Sequence, residues 1–340
     1  MQSPLLSIVV PFYNAQDFIS RCIESVVQQT FTSWELILVN DGSKDNGLEI
    51  AESYAKTDAR VKVITQENAG PSAARNHGID LAVGTYITFI DADDYVDKDY
   101  LQELVQPFLD CNDIQLSCGG YFEISAFRPN GVALHDLQCF FKHSQITKQQ
   151  FLTRIFTGVS GVLWGKMFVL ATIREHDLKL NPKVKLSEDL SFVIKYTKFI
   201  DKIAIVQDHL YFYNRLNETG LSGKLGLRNI DDILTSNQNI RDIEPEIDPE
   251  ALETALQRRL FYGLIKISRD ICERKASMGE IKKELNYLNR TFLAQFYTEP
   301  FYLNGEKKMH FILMKRHLYT LTILYNRAVS FTRNKAKKRS

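Results

Sequence analysis

Four short apolar runs separated by helical stretches constrain the fold of this chain more than any other feature. The runs are "LLSIVV" (residues 5–10), "WELILV" (34–39), "VKVI" (61–64) and "TYITFI" (85–90). They are β-branched and continuously apolar, which marks strands covered on both faces. Between them the period becomes helical. The first stretch carries Phe18, Cys22, Ile23, Val26 and Val27, and the second Leu48, Ile50, Ala51 and Tyr54. The third opens at Pro71, carries Ala74, Gly78, Leu81 and Ala82, and stops at Gly84. Strand–helix–strand units of this length close by right-handed crossovers and lay their strands in parallel. The expected class is α/β, a mostly parallel sheet flanked by helices.

Beyond residue 97 the pattern loosens. "YLQELVQPFLD" is expected as a helix, "IQLSCGGYFEI" as a strand and "RPNG" (128–131) as the turn of a hairpin or insertion. A helix near 147–157 precedes "GVLWGKMF" (161–168). "SEDLSFVIKYTKFI" (187–200) has the stripe Leu190, Val193, Ile194 and Thr197, and "KIAIV" and "HLYFYNR" are expected as two short strands. From about Leu227 the signals are only helical. The predicted division is residues 1–220, split into halves 1–97 and 98–220, followed by a helical region 221–340.

The fourth run ends in a physical problem. Asp91, Asp93 and Asp94 arrive within four positions at a strand end, where carboxylates repel one another and are costly to desolvate. Solvated loop aspartates or a helix cap are one explanation, and a bound cation is the other. In an open parallel sheet ligands sit beyond the carboxyl ends of the strands. Here those ends carry "PFYNA", "NDGSKDN", "QENAGPSAARN" and "DADD", four polar loops on one rim. The helix at Pro71 presents free N–H groups where a phosphate fits. Arg75 in its second turn is either a surface ion pair or a charge-assisted partner of a diphosphate. Such a diphosphate needs Mg2+ or Mn2+, which takes one or two carboxylates plus phosphate oxygens, and Asp91 and Asp93 can supply them.

These segments, from "SIVVPFYN" through "VNDGSKDN", "NAGPSAARNHGID" and "FIDADD" to "SEDLSF" and "YFYNR", resemble the inverting family 2 glycosyltransferases of the GT-A fold, over roughly residues 7–215. The resemblance implies a Rossmann-like sheet with a C-terminal helical region. It implies that Pro11, Phe12 and Tyr13 line a base pocket, with Asn14, Asn68 and Ala92 also along the nucleotide sugar, and that Asp41 accepts from the base imide. Arg75 and Asn76 lie along the nucleotide. Asp91 and Asp93 form the D-x-D pair holding Mn2+ or Mg2+, with Asp93 as direct ligand. Glu188 and Asp189 are the acceptor-side acids, with Asp189 as general base. Ser187 as an N-cap with two first-turn acids is the structural alternative. Trp164 resembles an acceptor-site residue of a Trp-Asn-Lys segment in which Gly165 replaces the amide, and is otherwise core. Arg215 resembles an arginine approaching the diphosphate. The implied reaction moves a sugar from a nucleotide diphosphate sugar, taken as a UDP-sugar, to a glycan or polyprenyl-linked hydroxyl in one inverting displacement.

A sugar-nucleotide nucleotidyltransferase would resemble this organisation but would carry a Gly-rich loop with Arg and Lys after strand one, where "PFYNAQDF" has no glycine. The same lack excludes a G-x-G-x-x-G oxidoreductase. A silent nucleotide- or glycan-binding module is the other alternative, and filled metal, phosphate and base positions speak against it. The formal net charge of +1 gives no sign of nucleic acid. It hides an asymmetry, because residues 307–339 hold ten Lys and Arg and no acid, leaving 32 basic against 41 acidic residues elsewhere. With "FILM", "LYTLTILY" and "VSF" this tail is either a docked helix or an amphipathic anchor on an anionic membrane surface.

Cys22, Cys111, Cys118, Cys139 and Cys272 are scattered, so a reducing cytosol is expected rather than a disulfide framework. "MQSPLLSIVV" reads as a strand and not as a signal peptide. No apolar run reaches the roughly 18 residues of a membrane span. The expected place is the cytoplasm, peripheral on the inner face of the cell membrane. The sequons at Asn217 and Asn289 carry little weight in that setting.

Overall fold

The structure is a computed structural model of the 340-residue chain and describes residues 4–125, 128–134, 144–155, 161–184, 187–215, 225–243, 249–297, 303 and 305–337. The chain divides into two compact units, Met1–Asn217 with Asp242–Ile247, and Glu218–Arg241 with Asp248–Ser340.

In the first unit β1 (Leu6–Phe12), β2 (Trp34–Asn40), β3 (Val61–Thr65) and β4 (Tyr86–Phe89) pair in parallel in the order β3-β2-β1-β4. Every residue of β1 and β2 is buried, as their unbroken apolar runs require. The crossovers are α1 (Ile19–Val27), α2 (Gly47–Thr57) and α3 (Pro71–Leu81). α1 buries Ile19, Cys22, Ile23 and Val26, a single stripe at helical spacing. α3 approaches β1 closely enough that a Cβ on Gly78 would lie 2.3 Å from a Val9 methyl, so the glycine sets the helix–sheet distance.

β5 (Tyr95–Val96), α4 (Tyr100–Asp110), β6 (Leu116–Ser125), β7 (Arg128–Leu134), β8 (Gln145–Thr147) and α5 (Lys148–Arg154) follow. β9 (Lys166–Val169), α6 (Leu170–Glu175), α7 (Glu188–Thr197) and β10 (Lys202–Asn214) complete the unit. The sheet runs on from β4 through β9, β6 and β10 to β5, and β9 is antiparallel to both neighbours. This is the α/β architecture expected, parallel from β3 to β4 and mixed beyond it. Two local expectations are corrected. "RPNG" does not turn the hairpin but begins its return strand β7, with Arg128 opposite Ser125. "KIAIV" and "HLYFYNR" are one strand, β10, whose register on β6 shifts on either side of His209. A bulge of this kind admits polar residues without ending the strand.

The second unit contains α8 (Asn229–Ile243), α9 (Pro249–Glu273), α10 (Met278–Thr291), α11 (Gly305–Lys315) and α12 (Tyr319–Lys337). α10 opens on a reciprocal cap: Ser277 Oγ accepts from Glu280 N and Glu280 Oε2 accepts from Ser277 N. α9, α11 and α12 share a buried polar chain. Asn326 Nδ2 donates to His310 Nδ1 at 2.7 Å. That leaves His310 Nε2 as the ring N–H, which donates to Ser268 Oγ at 2.6 Å, and Ser268 donates onward to the Ile265 carbonyl. Burial, with the Arg269 charge nearby, pushes the His310 imidazole down to about 3 from 6.5. Between those values only the unfolded chain takes up the proton, so this contribution is intact above pH 6.5 and is lost as pH falls towards 3. The loss is at most about 1.4 kcal/mol per pH unit. Amide exchange in α9 should accelerate in that window. His310→Leu should abolish the acid dependence while costing about 1–3 kcal/mol at neutral pH, because Ser268 and Asn326 lose their partner.

Asn289 is fully buried, with its Nδ2 donating to the Met314 carbonyl, so its sequon is sealed in the fold. Asn217 lies outside the described residues. Cys22, Cys111, Cys118 and Cys272 are free thiols, and Cys139 lies outside the described residues. Among the described residues no helix is long and apolar enough to cross a membrane.

Candidate active site

The rim loops are tied to one another before any ligand arrives. Asn14, in the left-handed region with φ +48°, accepts from Lys44 N through its side chain and donates from its backbone to Ser43 Oγ. Asp41 is buried at the end of β2. Its Oδ1 accepts from Gln66 Nε2 and Ala69 N, and its Oδ2 accepts from Gly70 N, all within 2.8–2.9 Å. Asn68 Nδ2 donates to the Asp41 carbonyl. Asp41 therefore shapes the entry to α3, an organising role the sequence reading did not assign. Pro11 and Phe12 are buried strand residues, whereas Tyr13 is exposed at the rim.

α3 presents Arg75 inward. Although charged, it is 5% exposed. Its Nη2 meets Asp91 Oδ1 at 2.7 Å, and its Nη1 lies 3.4 Å from Asp189 Oδ1 and 3.7 Å from Glu188 Oε1. One guanidinium thus joins the loop after β4 to the first turn of α7. It is no surface ion pair. Burial by itself would depress the Arg75 pKa, but the three carboxylates hold it above the usual value. The neighbouring Asn76 does not face this cluster. Its amide brackets the backbone of Leu180, donating to the carbonyl at 2.8 Å and accepting from the N–H at 2.9 Å.

The question of the crowded aspartates now has a structural answer. Asp91 faces Arg75. Asp94 is fully buried and accepts from Tyr211 OH at 2.5 Å and Asn214 N at 2.7 Å. Burial, with the charges of Asp91 and Asp93, holds the Asp94 carboxyl well above the usual range. Tyr211 OH also accepts from Asp91 N, and Asn214 Nδ2 donates to the Asp93 carbonyl. Ala92 is buried between them. Asp91 and Asp94, three positions apart, thus have different environments.

At the start of α7, Ser187 has φ +67° and makes no side-chain cap, so the capping reading of "SEDLSF" is not what the structure displays. Burial raises the Glu188 carboxyl to about 7, with the Asp189 charge adding and Arg75 opposing. Burial also raises Asp189, against the pull of Arg75, and Leu163 N donates to its Oδ2 at 3.4 Å. A carboxylate whose pKa is moved toward neutrality is suited to accept a proton.

Trp164 is buried in an aromatic stack, parallel to Tyr211 at 4.6 Å and to Tyr213 at 5.3 Å, with Tyr121 edge-on. Gly165 has φ +67°, a conformation open to glycine and asparagine, which accounts for glycine where the resembling segment has asparagine. Lys166 was missed. It is 2% exposed, and its charge acts on Asp189. The available signal was a lysine inside the apolar stretch "LWGKMF". Arg215 does not reach the carboxylate cluster and instead pairs with Glu123 at 3.3 Å on the surface.

Among the described residues no group of three or more His, Cys, Asp or Glu is arranged to hold a metal by itself. Asp91 and Asp93 both act electrostatically on the buried Asp94, and a pair of carboxylates is suited to a cation completed by phosphate oxygens rather than to one held by protein alone.

A family model described as "Glycosyl transferase family 2" matches residues 7–170. The chain is 36% identical over 214 residues to the uncharacterized glycosyltransferase EpsJ of Bacillus subtilis (strain 168), covering 62% of this chain and 61% of that protein. It is 32% identical over 219 residues to glycosyltransferase GlyG of Streptococcus pneumoniae serotype 4, covering 63% of this chain and 71% of that protein. S. aureus TarS 1-349 in complex with UDP-GlcNAc superposes with a TM-score of 0.64 at 18% identity, over 97% of this chain and 92% of that one. The mannosyltransferase PcManGT from Pyrobaculum calidifontis, in complex with GDP-Man and Mn2+, gives 0.52 at 13% identity over 96% and 88%. At these identities the two structures establish a shared fold.

Proposed function

Because the chain belongs to glycosyl transferase family 2, we propose that it moves a sugar from a nucleotide diphosphate sugar to a hydroxyl of a glycan or polyprenyl-linked acceptor, with inversion. The observation that carries this reading is the buried Arg75, which unites Asp91 with Glu188 and Asp189. A single cation linking a donor-side and an acceptor-side acid suits a reaction in which diphosphate leaves on one side as a hydroxyl is deprotonated on the other. UDP is the nucleotide of choice, in line with the UDP-GlcNAc complex of TarS.

In this reading residues 1–97 bind the nucleotide and 98–220 the acceptor. Pro11, Phe12, Tyr13, Asn14, Asp41, Asn68 and Ala92 form the walls around base and ribose. Asp189 takes the acceptor proton, and Glu188, Arg75 and Lys166 set the charge around it. Direct displacement then requires no covalent intermediate on the protein. Mn2+ or Mg2+ at Asp93 and Asp91 would supply Lewis-acid stabilisation of the leaving diphosphate. The acceptor side places the protein at the cytoplasmic face of the cell membrane as a peripheral protein.

Calorimetric titration with UDP-GlcNAc and GDP-mannose, with and without Mn2+, tests the proposal. The wild type should bind a UDP-sugar in a Mn2+-dependent manner. A concentration of 100 times Kd should add about 2.7 kcal/mol of thermal stability. Asp93→Asn should lose the Mn2+ dependence and keep its fold. Failure of every nucleotide sugar to bind the wild type would overturn the reading, and unchanged Mn2+ dependence in the variant would remove Asp93 from it.

A further inference from the structure

Tyr211 lies in β10, fully buried, and its hydroxyl both donates to and accepts from one loop. It donates to Asp94 Oδ2 at 2.5 Å and accepts from Asp91 N at 3.1 Å. A single partner is enough to bury a tyrosine hydroxyl at little cost. Here there are two, and they are the first and last positions of the tight turn that Asp94 N closes onto the Asp91 carbonyl at 3.0 Å. Asp91 is thereby fixed at two points, its N–H by Tyr211 and its carboxylate by Arg75. A phenylalanine would fill the same space and leave Asp91 N and Asp94 Oδ2 each short of a partner.

The ring of the same residue serves a second loop. It stacks on Trp164, with centroids 4.6 Å apart and planes within 10°. Trp164 is the middle of three residues. Before it, Leu163 N donates to Asp189 Oδ2 at 3.4 Å, and after it the Gly165 carbonyl accepts from Gly119 N at 2.8 Å. Between those backbone bonds the indole is held by the stack on Tyr211, with Tyr213 and Tyr121 also against it. Charge attraction falls slowly with distance, so Arg75 draws the acids together without setting their angles. Hydrogen bonds weaken steeply off axis and stacked rings keep a fixed separation, so the Tyr211 contacts set what Arg75 leaves free.

We propose that Tyr211 is a positioning residue for the transfer reaction. Its hydroxyl orients the Asp91–Asp94 turn for the donor, and its ring steadies the Leu163–Gly165 loop that supports Asp189. This rests on the transfer reading given above and adds the residue that keeps the two loops in step.

Two variants divide these roles. Tyr211→Phe removes the hydroxyl and keeps the ring, and Tyr211→Leu removes both. The readouts are ligand-free amide exchange across residues 90–95, calorimetric titration of UDP-GlcNAc with Mn2+, and slow hydrolysis of UDP-GlcNAc with water in place of the acceptor. In Tyr211→Phe the exchange should quicken and the donor Kd should rise, each by about tenfold, the worth of one lost hydrogen bond. Hydrolysis at saturating UDP-GlcNAc should fall by a smaller factor. In Tyr211→Leu that hydrolysis should fall about tenfold further, because the stack on Trp164 is lost as well. Circular dichroism checks that both variants fold, and if Tyr211→Leu does not, Trp164→Leu removes the same stack. A lowered unfolding midpoint in Tyr211→Phe, with exchange and donor Kd unchanged, would make Tyr211 a core residue only and overturn the proposal. Equal hydrolysis by the ring-keeping and stack-breaking variants would overturn the link to Asp189. If the wild type binds neither UDP-GlcNAc nor GDP-mannose, the transfer reading falls by itself, while the exchange still decides whether the hydroxyl holds the turn.

Discussion

Asp189→Asn should reduce sugar transfer by about 100- to 10,000-fold, the range of a lost general base. Donor affinity should stay near the wild-type value. Asn keeps the size of the side chain and can still accept from Leu163 N, so the local fold has little reason to change. As a mere first-turn acid the residue would add roughly 0.3–1 kcal/mol of stability and nothing to turnover. Steady-state transfer measured beside donor affinity separates the two roles. In the wild type the rate should rise with pH until Asp189 is ionised, at a value above the ordinary aspartate range because burial opposes the charge. Near-normal transfer by the variant would move the base to Glu188.

The second large effect concerns the cation that these acids share. Arg75→Met should destabilise the first unit by about 3–5 kcal/mol, the cost of stranding buried charges by removing their partner. Asp91, Glu188 and Asp189 would then face one another with Arg75 gone. Glu188 and Asp189, no longer opposed by Arg75, would hold a proton to higher pH, so the penalty should be smaller at pH 5 and larger at pH 8. Urea unfolding at the two pH values checks this. Trp34 and Trp164 are the two tryptophans of the chain and both lie in the first unit, so their fluorescence reports it alone. A loss under 1 kcal/mol at pH 8 would mean that water screens the cluster.

The two halves of the first unit differ in how far their sequence discloses their structure. β1, β2 and β4 are buried on both faces, and that condition writes itself into composition as unbroken apolar runs. β10 obeys a different rule. Its middle, Gln207 to His209, is polar because the register shifts there, and a bulge looks like a strand end when only hydrophobicity is read. β7 begins with Arg-Pro-Asn-Gly, and proline is tolerated because, among the described residues, the strand pairs only with β6. The site shows the same contrast. Arg75, Asp91, Glu188 and Asp189 were identifiable as candidates, but their convergence joins positions 114 residues apart, which no local pattern encodes. The structural duties of Asn76 and Asp41 depend on tertiary neighbours and are invisible for that reason, whereas Lys166 shows only as a lysine inside an apolar stretch.

The anchoring of Asp94 has a consequence for recombining this chain with its relatives. The "DADD" loop belongs by position to the first half, yet Tyr211 and Asn214 near the end of β10 satisfy its buried acid and its backbone. The matched family region closes at residue 170, before either of them. A chimera joined between residues 97 and 210 would inherit the acids from one parent and their fasteners from another. On the proposed function, donor specificity should therefore transplant only as residues 4–215 taken whole, with residues 98–215 carried along as the mould that keeps the aspartates in shape.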